Sequence, residues 1–180
     1  MIKIINLICY FISLIYLAIS RITGFYNMSV HLSKISFAYG NKIRYFFYKK
    51  TLNSVGDNVL FPHNTIFSNA NISIGNNVRF GPYNTIGLAD FGDDILIAQN
   101  VHFLSGKNQH SYSRVDIPIN KQGGKIEKIE IENDCWIGAG SIIMSNVNKG
   151  SVVASGSIVT KVFDKYLIIG GNPAKVIKKR

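Results

Sequence analysis

A disulfide framework is excluded for this chain, because its 180 residues include only two cysteines, Cys9 and Cys135. We expect both to be buried thiols. The glycine patterns of the P-loop and of the Rossmann dinucleotide site are absent, and so is the glycine-flanked serine of many hydrolases. The sequence therefore gives no support to the phosphate-binding or acyl-serine chemistry that depends on those motifs.

Acidic residues are absent from positions 1–54, which hold seven of the chain's 20 Lys and Arg residues. Four of the last six residues are also basic: Lys175, Lys178, Lys179 and Arg180. The formal charge of +10 thus comes mostly from the two ends. No basic-aromatic motif accompanies it, so we expect no nucleic-acid partner. The distribution favours anionic membrane lipid near the first segment and a phosphorylated ligand near the last.

The N-terminal segment 1–54 contains an almost wholly apolar run, Ile4–Ile19. Sixteen helical residues extend only about 24 Å, whereas the hydrocarbon core of a bilayer is about 30 Å thick. Polar residues recur on one face of this helix, at Lys3, Asn6, Tyr10, Ser13 and Ser20. The stripe predicts a helix that lies on a membrane surface or packs against protein. A short span or a cleaved signal peptide is the other alternative.

Apolar residues recur at every sixth position through residues 55–162. This spacing fits neither a helix nor a simple strand, and it is typical of a β-helix of hexapeptide repeats, in which three short strands make one coil of about eighteen residues. We therefore predict an all-β solenoid that begins near Val55. The residues expected to point inward are Val55, Phe61, Phe67, Ile74, Phe80, Ile86, Ile97, Phe103, Ile131, Ile137, Ile143, Val153 and Val159.

Two stretches depart from the repeat. Residues 104–125 are polar, lack the spacing and carry Gly106, Pro118, Gly123 and Gly124, so we expect an excursion loop at one corner. The spacing between Ile143 and Val153 is ten residues, which predicts a clipped corner. Residues 163–180 should leave the coil as a tail that ends in a short helix or strand.

Three C-terminal motifs, Asp134–Gly140, Gly156–Lys161 and Gly171–Ile177, resemble the hexapeptide-repeat acyltransferases. The nearest branch is the galactoside and maltose O-acetyltransferases, with the enzymes that acetylate surface polysaccharides. The resemblance covers about residues 55–180. It implies a left-handed parallel β-helix, a homotrimer with active sites at subunit interfaces, and acetyl-CoA as acyl donor, with no metal required.

Acyl transfer to a hydroxyl needs a base, and histidine is suited to that task near neutral pH. The resemblance implies His110, which follows a glycine turn in the excursion loop, as the general base. Two extra residues separate Gly106 from His110 compared with the galactoside-type loop, so His102 is a second candidate. We expect His31 and His63 to be structural or exposed.

The resemblance also implies binding residues. Asn84 and Asp90 match acceptor contacts, although turn geometry accounts for such residues equally well. Trp136 aligns with a tryptophan that lines the donor channel, with packing as the alternative. The expected coenzyme A contacts are Gly138, Ala139, Ser155, Gly156, Thr160 and Lys161, with Lys178 and Arg180 near the 3′-phosphate.

The function that follows is an O-acetyltransferase acting on a sugar hydroxyl in surface polysaccharide synthesis, peripheral at the inner face of the cytoplasmic membrane. One alternative is N-acetylation of a nucleotide-linked amino sugar. A second is a non-catalytic trimeric scaffold. A third is a metal-dependent hydratase, which would need three converging histidines.

Overall fold

The computed structural model describes residues 2–180, as a helical part followed by a strand part. The helices are α1 (Ile2–Thr23), α2 (Phe25–Ser33) and α3 (Phe37–Thr51). The strands are β1 (Ser54–Val55), β2 (Ile66–Phe67), β3 (Ser73–Ile74), β4 (Arg79–Phe80), β5 (Thr85–Ile86), β6 (Ala89–Phe91), β7 (Leu96–Ile97), β8 (His102–Phe103), β9 (Ile129–Ile131), β10 (Trp136–Ile137), β11 (Ile142–Ile143), β12 (Val152–Val153), β13 (Ile158–Val159), β14 (Leu167–Gly171) and β15 (Ala174–Lys179).

The strands form three sheets, which the chain visits in rotation from β2 to β11. In the first and later coils single bridges, Leu60 with Arg79 and Val147 with Ile131, take the place of a strand. Sheet A contains β1, β3, β6 and β9; sheet B contains β4, β7, β10, β12, β14 and β15; sheet C contains β2, β5, β8, β11 and β13. Paired strands are parallel, except β14 with β15. This rotation through three parallel sheets is the three-sided coil that the six-residue spacing predicts.

The interior of the coil confirms the predicted inward positions, because all thirteen apolar residues named above are buried. A column of phenylalanine rings fills the earlier coils, with neighbouring ring centroids 5.1–5.7 Å apart. One of these rings, Phe91, was not predicted, since the spacing from Ile86 to Ile97 is eleven residues and hides the intermediate position. Cys9 and Cys135 are buried free thiols, as expected.

Helix α1 is longer than the apolar run suggested. Its 22 residues extend about 33 Å at 1.5 Å per residue, so the length argument against crossing a bilayer no longer holds. By length and composition Lys3–Thr23 is apolar enough to span a membrane, the one such helix among the residues that the structure describes. The choice between a helix that spans the membrane, lies on it or packs against protein therefore depends on which face of α1 contacts the protein, and not on its length.

Arg44 on α3 joins the helices to the coil. Its guanidinium is buried, and it donates from Nε to the carbonyl oxygen of Phe61 at 2.7 Å and from Nη1 to those of Leu32 and Ile35 at 2.8 and 2.7 Å. Burial lowers the pKa of Arg44, but an arginine remains charged at neutral pH. One cation therefore satisfies carbonyls at the end of α2 and on the first coil.

The C-terminal tail differs from the expectation that it leaves the coil. Strand β14 pairs in parallel with β12 and continues sheet B, and β15 folds back on it as the antiparallel edge. Ile169 on β14 supplies another buried side chain in the interior. The six-residue spacing ends before this strand, which is why the sequence did not reveal that the coil continues.

We predict that Arg44→Met lowers the free energy of unfolding by about 3 kcal/mol or more, because the carbonyl oxygens of Phe61, Leu32 and Ile35 would each lose a charged donor at a buried or half-buried position. Urea unfolding followed by circular dichroism measures the change. Lys34→Met, at an exposed position of the same helical part, is the matched control and should leave the midpoint unchanged. An Arg44→Met protein as stable as the wild type would contradict this role.

Candidate active site

The loop that carries His110 leaves the corner between sheets C and A and has two legs joined by hydrogen bonds. The amide of Lys125 donates to Asn108 O at 2.7 Å, and that of Ser111 donates to Gly123 O at 2.9 Å. At the base, the Ser105 hydroxyl accepts a hydrogen bond from the Leu88 amide at 2.9 Å. The imidazole of His110 is exposed on this braced loop.

Gly124 permits the close approach of the two legs. A Cβ at this position would overlap the carbonyl oxygen of Gln109 and lie 2.8 Å from the Cα of His110. Sequence reasoning noted Gly123 and Gly124 only as loop residues and did not assign them a role. The second leg therefore fixes the position of His110 through backbone contact.

The second candidate base, His102, lies on β8 in sheet C. It stands in register between Thr85 on β5 and Ile142 on β11, and it is half-buried on the outer surface of the sheet. The outward orientation confirms what its place beside the inward Phe103 predicted. His102 is thus on the sheet face, and the loop bearing His110 begins directly after the same strand.

Four of the predicted donor residues meet at the corner between sheets B and C. Gly138 donates its amide to Val153 O at 2.8 Å, and Gly156 donates to Ala139 O at 2.8 Å, so two successive turns stack. A Cβ on Gly138 would lie 2.5 Å from the amide nitrogen of Ser155. A Cβ on Gly156 would meet open space, and its φ of +70° favours glycine. Gly138 is buried where the two turns stack, whereas the exposed backbone at Gly156 leaves this bare corner open to close approach by a ligand.

Trp136 and Arg180 line one small surface cavity of about 230 Å³ with Leu96 and Val152. The indole projects from β10 and is 55% exposed. The guanidinium of Arg180 donates to Asp134 Oδ2 at 2.9 Å and to Gly150 O at 3.0 Å, so it is held by the protein beside the ring. Lys178 pairs with Ile168 at the edge of the same sheet.

Thr160 and Lys161 lie away from the bare corner. They follow β13 and so stand at the opposite end of sheet C from Gly156, where Lys161 lines a second depression with Phe163 and Lys175. The ammonium group of Lys161 is 5.4 Å from the centroid of the Phe163 ring. The structure thus separates the predicted donor residues into two groups.

The two predicted acceptor residues have structural partners. Asn84 is fully buried; its amide donates to Gly81 O at 3.0 Å and accepts from the Val101 amide at 2.7 Å. Asp90 accepts from the Ser73 amide at 2.7 Å and pairs with Lys128 at 3.0 Å on the outer surface of sheet A. Turn geometry, the alternative that the sequence left open, accounts for Asn84; Asp90 remains partly exposed.

Cys135 lies beside this region, but its thiol is unreactive. Burial raises the pKa of its thiol to about 11, so the thiol stays protonated near neutral pH. Among residues 2–180 no group of three His, Cys, Asp or Glu side chains converges as a metal site. His102 and His110 are the two candidate bases in this region.

Comparison with known proteins gives curated relatives and solved structures, although no family model matches. The galactoside O-acetyltransferase of Escherichia coli strain K12 is 33% identical over 140 residues, which are 73% of this chain and 66% of that protein. The chloramphenicol acetyltransferase of Klebsiella aerogenes is 50% identical over 85 residues, 46% of this chain and 39% of that one. The chain spans less than two thirds of the length of these relatives.

Solved structures extend the likeness over more of the chain. A galactoside acetyltransferase in complex with coenzyme A is 27% identical, with a TM-score of 0.73, over 85% of this chain and 78% of that one. The chain belongs to the hexapeptide-repeat acyltransferase family. A mutant of AntD, an N-acyltransferase of Bacillus cereus in complex with dTDP and coenzyme A, aligns with a TM-score of 0.63 at 25% identity, over 73% of this chain and 74% of that chain.

Within one copy of this hexapeptide-repeat protein the predicted site residues do not all meet. The bare corner at Gly138 and Gly156 lies at one edge of sheet C, and the loop bearing His110 leaves from the other edge. The face of sheet C, with His102 on it, lies between them. A single chain therefore presents a histidine loop and a bare corner at opposite edges of one sheet.

We predict that Gly124→Ala separates the two legs of the loop. The added Cβ would overpack the contact between them, which costs about 1–3 kcal/mol. Hydrogen exchange of the Ser111 and Lys125 amides should become about 10–100-fold faster. Gly123→Ala is the control: a Cβ there meets open space, and only its φ of +77° is strained. Equal exchange rates in the two variants would contradict the bracing role of Gly124.

Proposed function

We propose that this chain is a coenzyme A-dependent O-acetyltransferase that moves acetyl from acetyl-CoA to a sugar hydroxyl. The observation that carries the proposal is the likeness to a coenzyme A-bound galactoside acetyltransferase over 85% of the chain. The bare corner supports it, because the exposed backbone at Gly156, with open space beyond its Cα, suits an extended ligand. A left-handed winding of the coil is part of the proposal.

His110 is the proposed general base. Its imidazole removes the proton of the acceptor hydroxyl while the oxygen attacks the thioester carbonyl carbon. A carbon–oxygen bond forms, the carbon–sulfur bond breaks, and the coenzyme A thiolate leaves and takes up a proton. The exposed loop suits this role, since the imidazole reaches solvent-borne acceptors, and Gly124 holds the loop in one position.

The proposed assembly is a homotrimer with its active sites between copies. The outer surface of sheet A is polar, with Ser73, Asp90 and Glu130 along it, whereas sheets B and C carry outward rows that are largely apolar. A closed ring needs two different contact surfaces on each copy, and sheets B and C can supply them. In the proposed ring the histidine loop of one copy reaches the bare corner of another.

The proposed acceptor is a sugar of a surface polysaccharide, carried on a lipid at the inner face of the cytoplasmic membrane, where acetyl-CoA is made. The basic N-terminal part and the apolar helix α1 support a peripheral position there. The acceptor would reach the histidine loop from the membrane side, and the donor would arrive from the aqueous phase.

N-acylation of a nucleotide-linked amino sugar is the second candidate. The likeness to the Bacillus cereus N-acyltransferase, at 25% identity and over 73% of the chain, favours it. Both reactions use the same donor and one histidine, so the acceptor separates them. A panel of paired acceptors that differ only in carrying an amine or a hydroxyl decides between them by the ratio of kcat/KM values.

We predict that His110→Ala lowers kcat for acetyl transfer by about 10²–10⁴, the size expected for the loss of a general base. Release of free thiol from acetyl-CoA, with sugars and lipid-linked oligosaccharides as acceptors, measures it. His63→Ala is the matched control, because His63 lies on the first coil against Tyr83 and should leave kcat unchanged.

Three results would contradict the proposal in different ways. Equal turnover by His110→Ala and the wild type would transfer the base role to His102. Binding of coenzyme A without turnover of any sugar would support the proposed donor site and exclude sugars as the acceptor class. No binding of coenzyme A at all would favour the non-catalytic scaffold.

A further inference from the structure

Helix α1 packs against the protein with a mixed face and exposes an apolar one. The packed face holds the polar stripe from Asn6 to Ser20 and the half-buried Ile12, Tyr16 and Leu17, whereas Lys3 is exposed. Lys42 on α3 donates to the side chain of Asn6, Ser13 is fully buried, and the ring of Tyr10 meets that of Phe46 edge-on at 5.6 Å. The opposite side carries large apolar residues that are more than 40% exposed: Ile4, Ile5, Leu7, Ile8, Phe11, Ile15, Ile19 and Ile22. Ile22 is 90% exposed.

An ordinary surface helix exposes a polar face and turns its apolar stripe to the core, whereas α1 exposes its most apolar face. Exposed contiguous apolar surface on this scale marks an interaction site. Because α2 and α3 already cover the packed face, the exposed apolar face needs an occupant from outside the folded chain.

The charges beside this face indicate what that occupant is. Lys3 and Arg21 are both exposed and stand 18 positions apart, which is five helical turns, so they lie on the same side of α1 near its two ends. At 100° per residue, that side borders the apolar face. Together with the absence of acidic residues from positions 1–54, this arrangement complements anionic lipid headgroups.

An exposed aromatic pair reinforces the match. Phe37 and Tyr39 stack at 5.8 Å at the start of α3, and Phe37 holds a left-handed φ of 69° that bulky residues rarely adopt. The Cys9 thiol donates to the Tyr39 carbonyl oxygen at 3.8 Å, which brings the pair to the middle of α1. Aromatic side chains are enriched at the headgroup level of membranes.

A helix that crosses the bilayer would not fit these contacts. Lys42 is bonded to Asn6, and the ammonium group of Lys50 is 5.3 Å from the ring centroid of Tyr10, so α3 sets two lysines against the N-terminal half of α1. Crossing would carry these cations into hydrocarbon or detach α3 from α1, and cations in hydrocarbon are costly.

We infer that α1 lies in the plane of an anionic membrane surface, with its apolar face in the lipid and its polar stripe bonded to α3. The helix is an in-plane anchor that keeps the rest of the chain on one side of the bilayer. This inference does not rest on acetyl transfer, because it concerns only the binding of lipid.

Flotation of the full chain with sealed vesicles tests the anchor. We expect binding to vesicles containing about 30% phosphatidylglycerol and weaker binding to phosphatidylcholine alone, as combined apolar and electrostatic attachment requires. The variant Ile8→Ser, Phe11→Ser, Ile15→Ser should lose at least about tenfold in partitioning, since these exposed side chains supply the buried apolar area.

The matched control changes three exposed apolar residues in and directly after the excursion loop, as Val115→Ser, Ile119→Ser, Ile126→Ser. It should bind vesicles like the wild type. Circular dichroism and the sedimentation coefficient should be unchanged in both variants. The inference fails if the wild type does not bind vesicles. It also fails if the α1 variant changes its oligomeric state, because the apolar face would then be an interface with a second copy.

Labelling by a membrane-impermeant maleimide separates lying on the membrane from crossing it. Vesicle-bound Lys3→Cys and Thr23→Cys should both react from outside, and the buried Cys9 and Cys135 give the wild type a low background. Reaction of only one of the two introduced thiols would show that α1 crosses, and would overturn in-plane insertion.

Discussion

The parallel stacking of coils around an apolar interior is the constraint on which the rest of this structure depends. Each short strand bonds to the equivalent strand of the next coil, and each contributes one inward side chain at the sixth position. Strands of two residues have little stability alone, so the packed column of rings and branched side chains must hold the corners in place. The corners carry the proposed chemistry, and their backbone is fixed by the stack.

The six-residue spacing made the sheets and most of the interior predictable. Each side chain inside a narrow coil must fit its neighbours, so apolar residues recur in the sequence at a fixed interval. Features without that period were not predictable. Phe91 was hidden by a corner one residue short, and β14 joined sheet B after the repeat had ended. The end of α1 at Thr23 was also missed, because the apolar run stops before the helix does.

The candidate site was predictable as a set of residues but not as an arrangement. Motifs identified the glycine corner and the loop histidine, yet the contact of Gly124 with Gln109 joins two legs that share no repeat. The engagement of Arg180 by Asp134 spans 46 positions and has no local signal. Similarly, the polar stripe of α1 was visible in the sequence, but which of its two faces met protein depended on α3.

The proposed reaction centre forms between copies, from the histidine loop of one and the bare corner of another. Mixing two inactive variants tests it most directly: His110→Ala, which lacks the base, and Ser155→Trp, which blocks the exposed corner. After unfolding and refolding together in equal amounts, random closed trimers should regain about a quarter of wild-type turnover, because one interface in four unites an intact loop with an intact corner. Turnover that stays at the level of the separate variants would contradict the account, and would place the loop and the corner of each site in a single chain.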